Sequence, residues 1–407
     1  MSLVNVLLDT NTGAFVSGLN RPFGDAAGAL RVSQLNTTGQ YTFYGQTGNF
    51  FDQKTLGGTI TDDTINARKV LSVTAGVGNY AVIQTRQSHP YFAGNPQRIT
   101  ETYSNLQYES GTIKRIGYFD SDFGTPYSTA LDGIWIESNG NDSTYYLVIS
   151  KNGTQNKIPR SAWVDKLDGT GESGMTWNPQ NFNVFEFDFL FLGGTGVEFN
   201  MFNGRVPAYM HTYNHANNEP LVIINTPQKP IRYEIRSTGG AGTLHAICAQ
   251  VGTSGSIDGI AGIKASLPYQ LPISGGTAGS QTHIRSMRLK TGFETEFVQN
   301  LGFSALSATN DNVFLKIVFN GTITEGTWTS VPNSVIEYNE GATYTESTGQ
   351  IIYSEYLTAS TSSTALLKSL RRLGAGLDGN RDVVSVICTP LSSGSSIGTS
   401  LQWIEFG

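Results

Sequence analysis

Between residues 183 and 191 the chain reads NVFEFDFLF, and Phe185, Phe187, Phe189 and Phe191 fall on every second position. A period of two puts these rings on one face of a strand, opposite Glu186, Asp188 and Leu190. Four aromatics on one face predict a buried sheet surface that meets a second layer. Gly193-Gly194 then predicts a turn, and VEFNMF (197–202) a returning strand. Comparable runs recur about every ten residues: GIWIES, YYLVIS, LVIINT, IRYEIRS, TLHAICAQV, HIRSMRLK, VFLKIVFNG, IIYSEYL, VVSVICT and LQWIEF. Asn139-Gly140 and Asn152-Gly153, on either side of YYLVIS, are hairpin signals. Short strands joined by such turns predict an all-β chain of antiparallel sandwich or jelly-roll type. No fixed period is present that would suggest a propeller or solenoid.

One helical pattern interrupts the alternation. Ser362 or Ser363 is a suitable cap, Leu366, Leu367, Leu370 and Leu373 share a helical face, and Gly374 is a suitable stop. The expectation is therefore a C-terminal β-rich domain carrying one short helix. Residues 1–28 carry few strand signals and read as a docking arm. A Gly/Ser/Pro-rich passage at 252–280 reads as a linker. The division that follows is an arm at 1–28, a β-sandwich at 29–255 and a C-terminal domain at 256–407.

Composition narrows the class. Of 407 residues, 14% are charged, against roughly 25% in an average soluble protein. With 47 Gly, 21 Phe and 18 Tyr, the chain suits strands and turns and is too aromatic for disorder. A net charge of −6 argues against a nucleic-acid partner, because such binding rests on neutralising phosphates. The clusters Arg285, Arg288, Lys290 and Lys368, Arg371, Arg372 are short and read as solvated faces. Cys248 and Cys388 lie in apolar surroundings and read as buried thiols. No signal peptide or membrane span is expected, which places synthesis in a cytosol.

Four places in the sequence carry residues with chemical potential. Glu186-Phe-Asp188 resembles the start of the carboxylate array of laminarinase-type glycoside hydrolases, which place three acids two residues apart on one strand face. The third place here is Leu190, and retaining hydrolysis needs an acid/base as well as a nucleophile, so no catalytic residue is assigned. His211 and His215 stand four apart, a spacing that serves a metal on a helix, but the segment reads as strand and turn. Asp120, Asp122 and Asp132 lie near turns in an order that does not complete a calcium loop. No cofactor, metal or phosphate-binding motif is assigned. Trp135, Trp163 and Trp177, with Tyr91 and Phe92, are the candidates for glycan contact by aromatics, weighed against a plain core role.

Several separated motifs occur in an order that resembles a module of virion structural proteins from tailed bacteriophages and other large DNA viruses. They are RQSHPYFAGNPQRITETY, GTIKRIGYFD, SAWVDKLDGTGESG, FNVFEFDFLFLGGTGVEFNMF, TPQKPIRYEIRS and LHAICAQV, over roughly residues 80–255. The family tends to carry Trp-Leu-Gly where this chain has Phe191-Leu192-Gly193, a conservative change. The resemblance implies a concanavalin-like or jelly-roll sandwich in a homo-oligomeric particle component: a head fibre, a capsid decoration, or a collar or tail appendage. It implies no enzymatic residues. Its partners would be copies of itself and other virion proteins, its location the virion after assembly in the host cytoplasm. A host-surface glycan or receptor-binding role is the alternative.

Overall fold

The computed structural model describes residues 35–45, 50–121, 131–190, 194, 196–254, 262–268, 272–309, 312–358, 362–366, 372–392 and 395–406. The expected arm at 1–28 lies outside the described residues. Fifteen strands come first: β1 (Leu35–Thr42), β2 (Phe51–Leu56), β3 (Gly58–Asp63), β4 (Arg68–Val73), β5 (Tyr80–Thr85), β6 (Gln97–Ser104), β7 (Thr112–Asp120) and β8 (Asp132–Asn139). They continue with β9 (Thr144–Lys151), β10 (Thr154–Pro159), β11 (Asn183–Phe189), β12 (Val197–Asn203), β13 (Val206–Tyr213), β14 (Ile231–Ser237) and β15 (Gly242–Ser254). These form two antiparallel sheets. One runs β13-β12-β11-β6-β15-β4-β3, with β1 also on β15; the other runs β10-β9-β8-β7-β14-β5-β2.

The alternation read from the sequence sets which faces meet. Phe185, Phe187 and Phe189 of β11 are buried, and the first two lie 6.2 and 5.9 Å from the Phe199 ring of β12. They join Ile99 and Tyr103 of their own sheet and Ile116, Tyr118, Ile134 and Tyr233 of the other in one core. Tyr233 ties the layers by donating its hydroxyl to the Thr102 carbonyl at 3.1 Å. Turn chemistry sets the register. Lys151 pairs with Thr154 across Asn152-Gly153, and both turn residues have positive φ, 47° and 85°. Such a two-residue turn matches strand twist and favours Asn-Gly.

A second β unit spans 263–406. Ile263–Ser266, Ser396–Phe406, Phe297–Ser307 and Ser362–Leu366 make one sheet. Thr329–Ser330, Ile336–Asn339, Thr282–Leu289, Val383–Pro390, Val313–Phe319 and Gln350–Leu357 make another. Trp403, Phe303, Ile317, Val386 and Leu401 belong to the core between them. Cys248 and Cys388 sit in different units, on β15 and on Val383–Pro390.

Four expectations are corrected. Ser362–Leu366 and Arg372–Leu373 are strands paired with Phe297–Ser307, not parts of a helix; residues 367–371 lie outside the described residues. A free sheet edge outbids a local leucine spacing, and the run SSTAL favours neither state strongly. Gly374 is no helix stop: a Cβ there would lie 2.4 Å from the Arg86 carbonyl oxygen, so glycine serves close backbone approach. The expected linker contains the end of β15 and the strands Ile263–Ser266 and Ile273–Ser274, both paired with Ser396–Phe406. LVIINT is not a strand, because the Asn225 and Thr226 amides donate to the Asp132 carboxylate instead of to a ladder.

The basic cluster at 285–290 is not a solvated face either. Arg285 is buried against Glu340 and the Thr399 carbonyl, Arg288 is held by Glu337, and Lys290 donates to the Val331 and Ser334 carbonyls. Lys368 and Arg371 lie outside the described residues, while Arg372 donates to the Thr38 carbonyl. That last bond joins the two units. So does Arg86, whose Nη2 lies 2.7 Å from Asp382 Oδ1, with Asp382 also accepting from Asn320 and the Gly374 amide.

Candidate functional site

The two outer faces of the first sandwich differ. On the seven-stranded sheet, Arg115, Arg232, Glu137, Glu234, Trp135 and Phe119 are all buried. Arg115 bridges Glu137 (2.8 Å) and Glu234 (2.7 Å), Arg232 holds the other oxygen of Glu234 at 2.7 Å, and the Trp135 ring lies beneath Arg115. These charges are paired within the fold.

The eight-stranded sheet instead presents a polar, partly open outer face. Register sets it: Tyr209 pairs with Asn200, Asn200 with Glu186, Glu186 with Thr100, and Thr100 with Gln250, giving one row across five strands. The next row runs Thr212, Glu198, Asp188 and Arg98. Side chains opposite one another on adjacent strands share a face, so three carboxylates, a guanidinium, two amides and three hydroxyls lie along the two rows.

Arg98 organises the centre. Its Nη2 lies 3.4 Å from Asp188 Oδ2 and its Nε 3.8 Å from Glu186 Oε1. Thr100 donates to Glu186 at 3.1 Å, Asn200 to Glu198 at 3.1 Å, and Tyr209 to Thr212 at 3.0 Å. Burial, then the neighbouring Glu198 charge, raises the Asp188 carboxyl above its ordinary value, with Arg98 opposing. Tyr209 is 38% exposed and continues into an open groove of about 560 Å³, where Asn203, Glu172 and Val164 also stand. Asp165 at the floor of this groove accepts the Leu167 and Ser173 amides. Burial raises its pKa, but those bonds and the Ser173 side chain prevail and hold it below its ordinary value.

The sequence-level candidates fall elsewhere. Trp135, Trp163 and Trp177 are buried; the Trp163 indole donates to the Ile158 carbonyl and lies 6.2 Å from Trp177. They are core residues and offer no face to a sugar, which corrects their selection as glycan contacts. Tyr91 stacks on Phe189 at 5.9 Å. His211 lies on β13 and His215 beyond it, where the His215 ring bonds the Leu221 carbonyl; on extended backbone the four-residue spacing does not converge. Lys229 occupies the space between Asp120 and Asp132, with Nζ 3.0 and 2.6 Å away. An ammonium thus stands between these two aspartates; Asp122 lies outside the described residues. Among the described residues no group of three metal-ligating side chains is gathered, and no helix is long and apolar enough to cross a membrane.

No family model matches the sequence, and no curated protein matches it. Solved structures align with about half of the chain. A Bacillus licheniformis β-glucanase is 11% identical, covering 54% of this chain and 99% of its own (TM-score 0.34). A pseudo β-1,3-glucanase of Mycobacterium tuberculosis is 12% identical, covering 54% and 99% (TM-score 0.38). A legume lectin-like domain from Entamoeba histolytica is 11% identical, covering 52% and 95% (TM-score 0.31). At these values the assignment of an antiparallel β-sandwich rests on the strand pairing itself.

Proposed function

We propose that the chain is a non-enzymatic structural component of a tailed-phage particle, and that its first sandwich binds host-surface glycan on the outer face of the eight-stranded sheet. The observation that carries the glycan reading is the exposed Tyr209 beside the open row Thr212, Glu198, Asp188 and Arg98, backed by the buried Asn200 and Glu186 on the same strands. Sugars are recognised by converging hydrogen-bond donors and acceptors beside an aromatic ring, held on rigid backbone. The virion reading is supported by the ordered motifs of residues 80–255 and by the low charge of a surface suited to close, wet packing between subunits.

The non-enzymatic reading is supported by the site's chemistry. Glu186 and Asp188 are both engaged by Arg98, and Leu190 stands in the third position of the strand where a hydrolase of this type needs its acid.

Purified protein titrated with host-surface polysaccharide tests the glycan part. Asn200→Ala and Tyr209→Ala are each expected to weaken binding about tenfold, the first also costing about 1 kcal/mol of stability through its lost bond to Glu198, and no reducing ends should be released. Release of reducing ends would overturn the non-enzymatic reading. Absence of the chain from purified particles would overturn the virion reading.

A further inference from the structure

Where the two β units meet, a cleft of about 590 Å³ opens between Arg86 of the first and Arg288, Trp328 and Arg381 of the second. Its size falls within the range of small-molecule pockets, about 300–1,000 Å³. Among the described residues lining it, three are arginines and none is acidic.

Each guanidinium is anchored from behind. Arg86 is held by Asp382 at 2.7 Å, while Arg288 Nε and Arg381 Nη1 share a single oxygen of Glu337, at 2.6 and 3.0 Å. One carboxylate therefore serves two guanidinium groups, which leaves the pair with one positive charge in excess. Burial first, and then the Arg381 charge, lowers the Arg288 pKa, against the bond from Glu337. Arg288 is further fixed over Trp328, with Cζ 3.7 Å from the ring centroid. A rigid arginine fork fits the two oxygens of a planar carboxylate better than a point charge does.

We propose that this cleft binds an acidic sugar, with its carboxylate on Arg288 and Arg381 and its ring beside Trp328. The site is separate from the polar sheet face, so either can fail without the other. The assignment differs from that of the sheet face in demanding a charged ligand.

Calorimetric titration of the whole chain with trigalacturonate, with its methyl ester and with inorganic sulfate and phosphate tests the proposal. The acid should bind, and the ester should bind at least about tenfold more weakly, as expected for lost charge-assisted bonds. Raising the salt concentration should weaken the acid alone. Arg288→Lys keeps the charge facing Glu337 but removes the fork; it and Trp328→Ala should each reduce acid binding about tenfold. Neither should alter the response of the sheet face to Asn200→Ala. Equal binding of acid and ester, no binding of the acid, or acid binding indifferent to both variants would overturn the proposal. Tighter binding of sulfate or phosphate than of trigalacturonate would overturn the choice of a sugar carboxylate.

Discussion

Glu101 stands on the core face of β6, fully buried, and neither of its carboxyl oxygens has a hydrogen-bond partner among the described residues. Burial raises its pKa well above the ordinary value, which favours the protonated form in the folded chain. Above about pH 4.3 the unfolded chain carries it ionised, and folding then takes up a proton. Its contribution is complete below that pH and declines as pH rises. Glu101→Gln is therefore expected to be more thermostable than the parent at pH 8, with the gap closing near pH 4.5; a constant gap would refute this.

Three histidines work in the opposite direction. Burial pulls His89 down to about 3, and His245 and His283 to about 4. His89 stays neutral between Tyr41 and the Lys229 carbonyl. Unfolded histidines protonate below about pH 6.5, so stability is complete above that pH and is lost as pH falls towards 4. In the Glu101→Gln background, the denaturation midpoint should fall steadily from pH 7 to pH 5. A flat profile would contradict the assignment. None of this was legible in the sequence: TETYS and QSHPY give no sign of which polar residue ends in a core.

At the scale of elements, the aromatic strand was the most legible feature. Its period of two gave the face, and β11 pairs as that face requires. Phe187 is fully buried among rings, so Phe187→Ala should cost about 3–5 kcal/mol in denaturant unfolding. Thr100→Ala on the opposite face should cost about 1 kcal/mol or less. Comparable costs would mean that the faces had been misassigned. The helical pattern misleads at Ser362–Leu366 and Arg372–Leu373 because leucine spacing is a local signal, whereas the edge of Phe297–Ser307 that pairs with them is about sixty residues away in the chain. The sugar-binding candidates failed for a related reason. Tryptophan type flags an aromatic surface, but Trp135, Trp163 and Trp177 reach the core through strand parity and loop path, and the accessible ring in the polar row of the eight-stranded sheet is Tyr209.

At the scale of the molecule, the two β units are joined by buried polar contacts centred on Asp382. Burial raises its carboxyl and Arg86 opposes that rise. Removing one partner of a buried pair strands the other charge, so Arg86→Met should destabilise by about 3 kcal/mol and should split a single calorimetric transition into two. Lys54→Ala, which breaks a 3.8 Å pair with Asp378 at the more exposed rim, should change stability by less than about 1 kcal/mol. If both variants unfold like the parent, the contacts do not couple the units.

The sequence by itself determined that the chain is β-rich, where strands such as β8, β9, β11 and β12 lie, and which face of β11 is apolar. These follow from alternation and from the φ demands of Asn-Gly, both properties of neighbouring residues. Only the tertiary structure decided that Asn200, Glu186 and Thr100 form one row, that Lys229 sits between Asp120 and Asp132, and that Arg288 and Arg381 share Glu337. The row depends on register between paired strands, where a one-residue slip would turn every side chain to the other face. The two charge clusters depend on packing that brings Lys229 and Arg381, just outside strands, onto partners far along the chain.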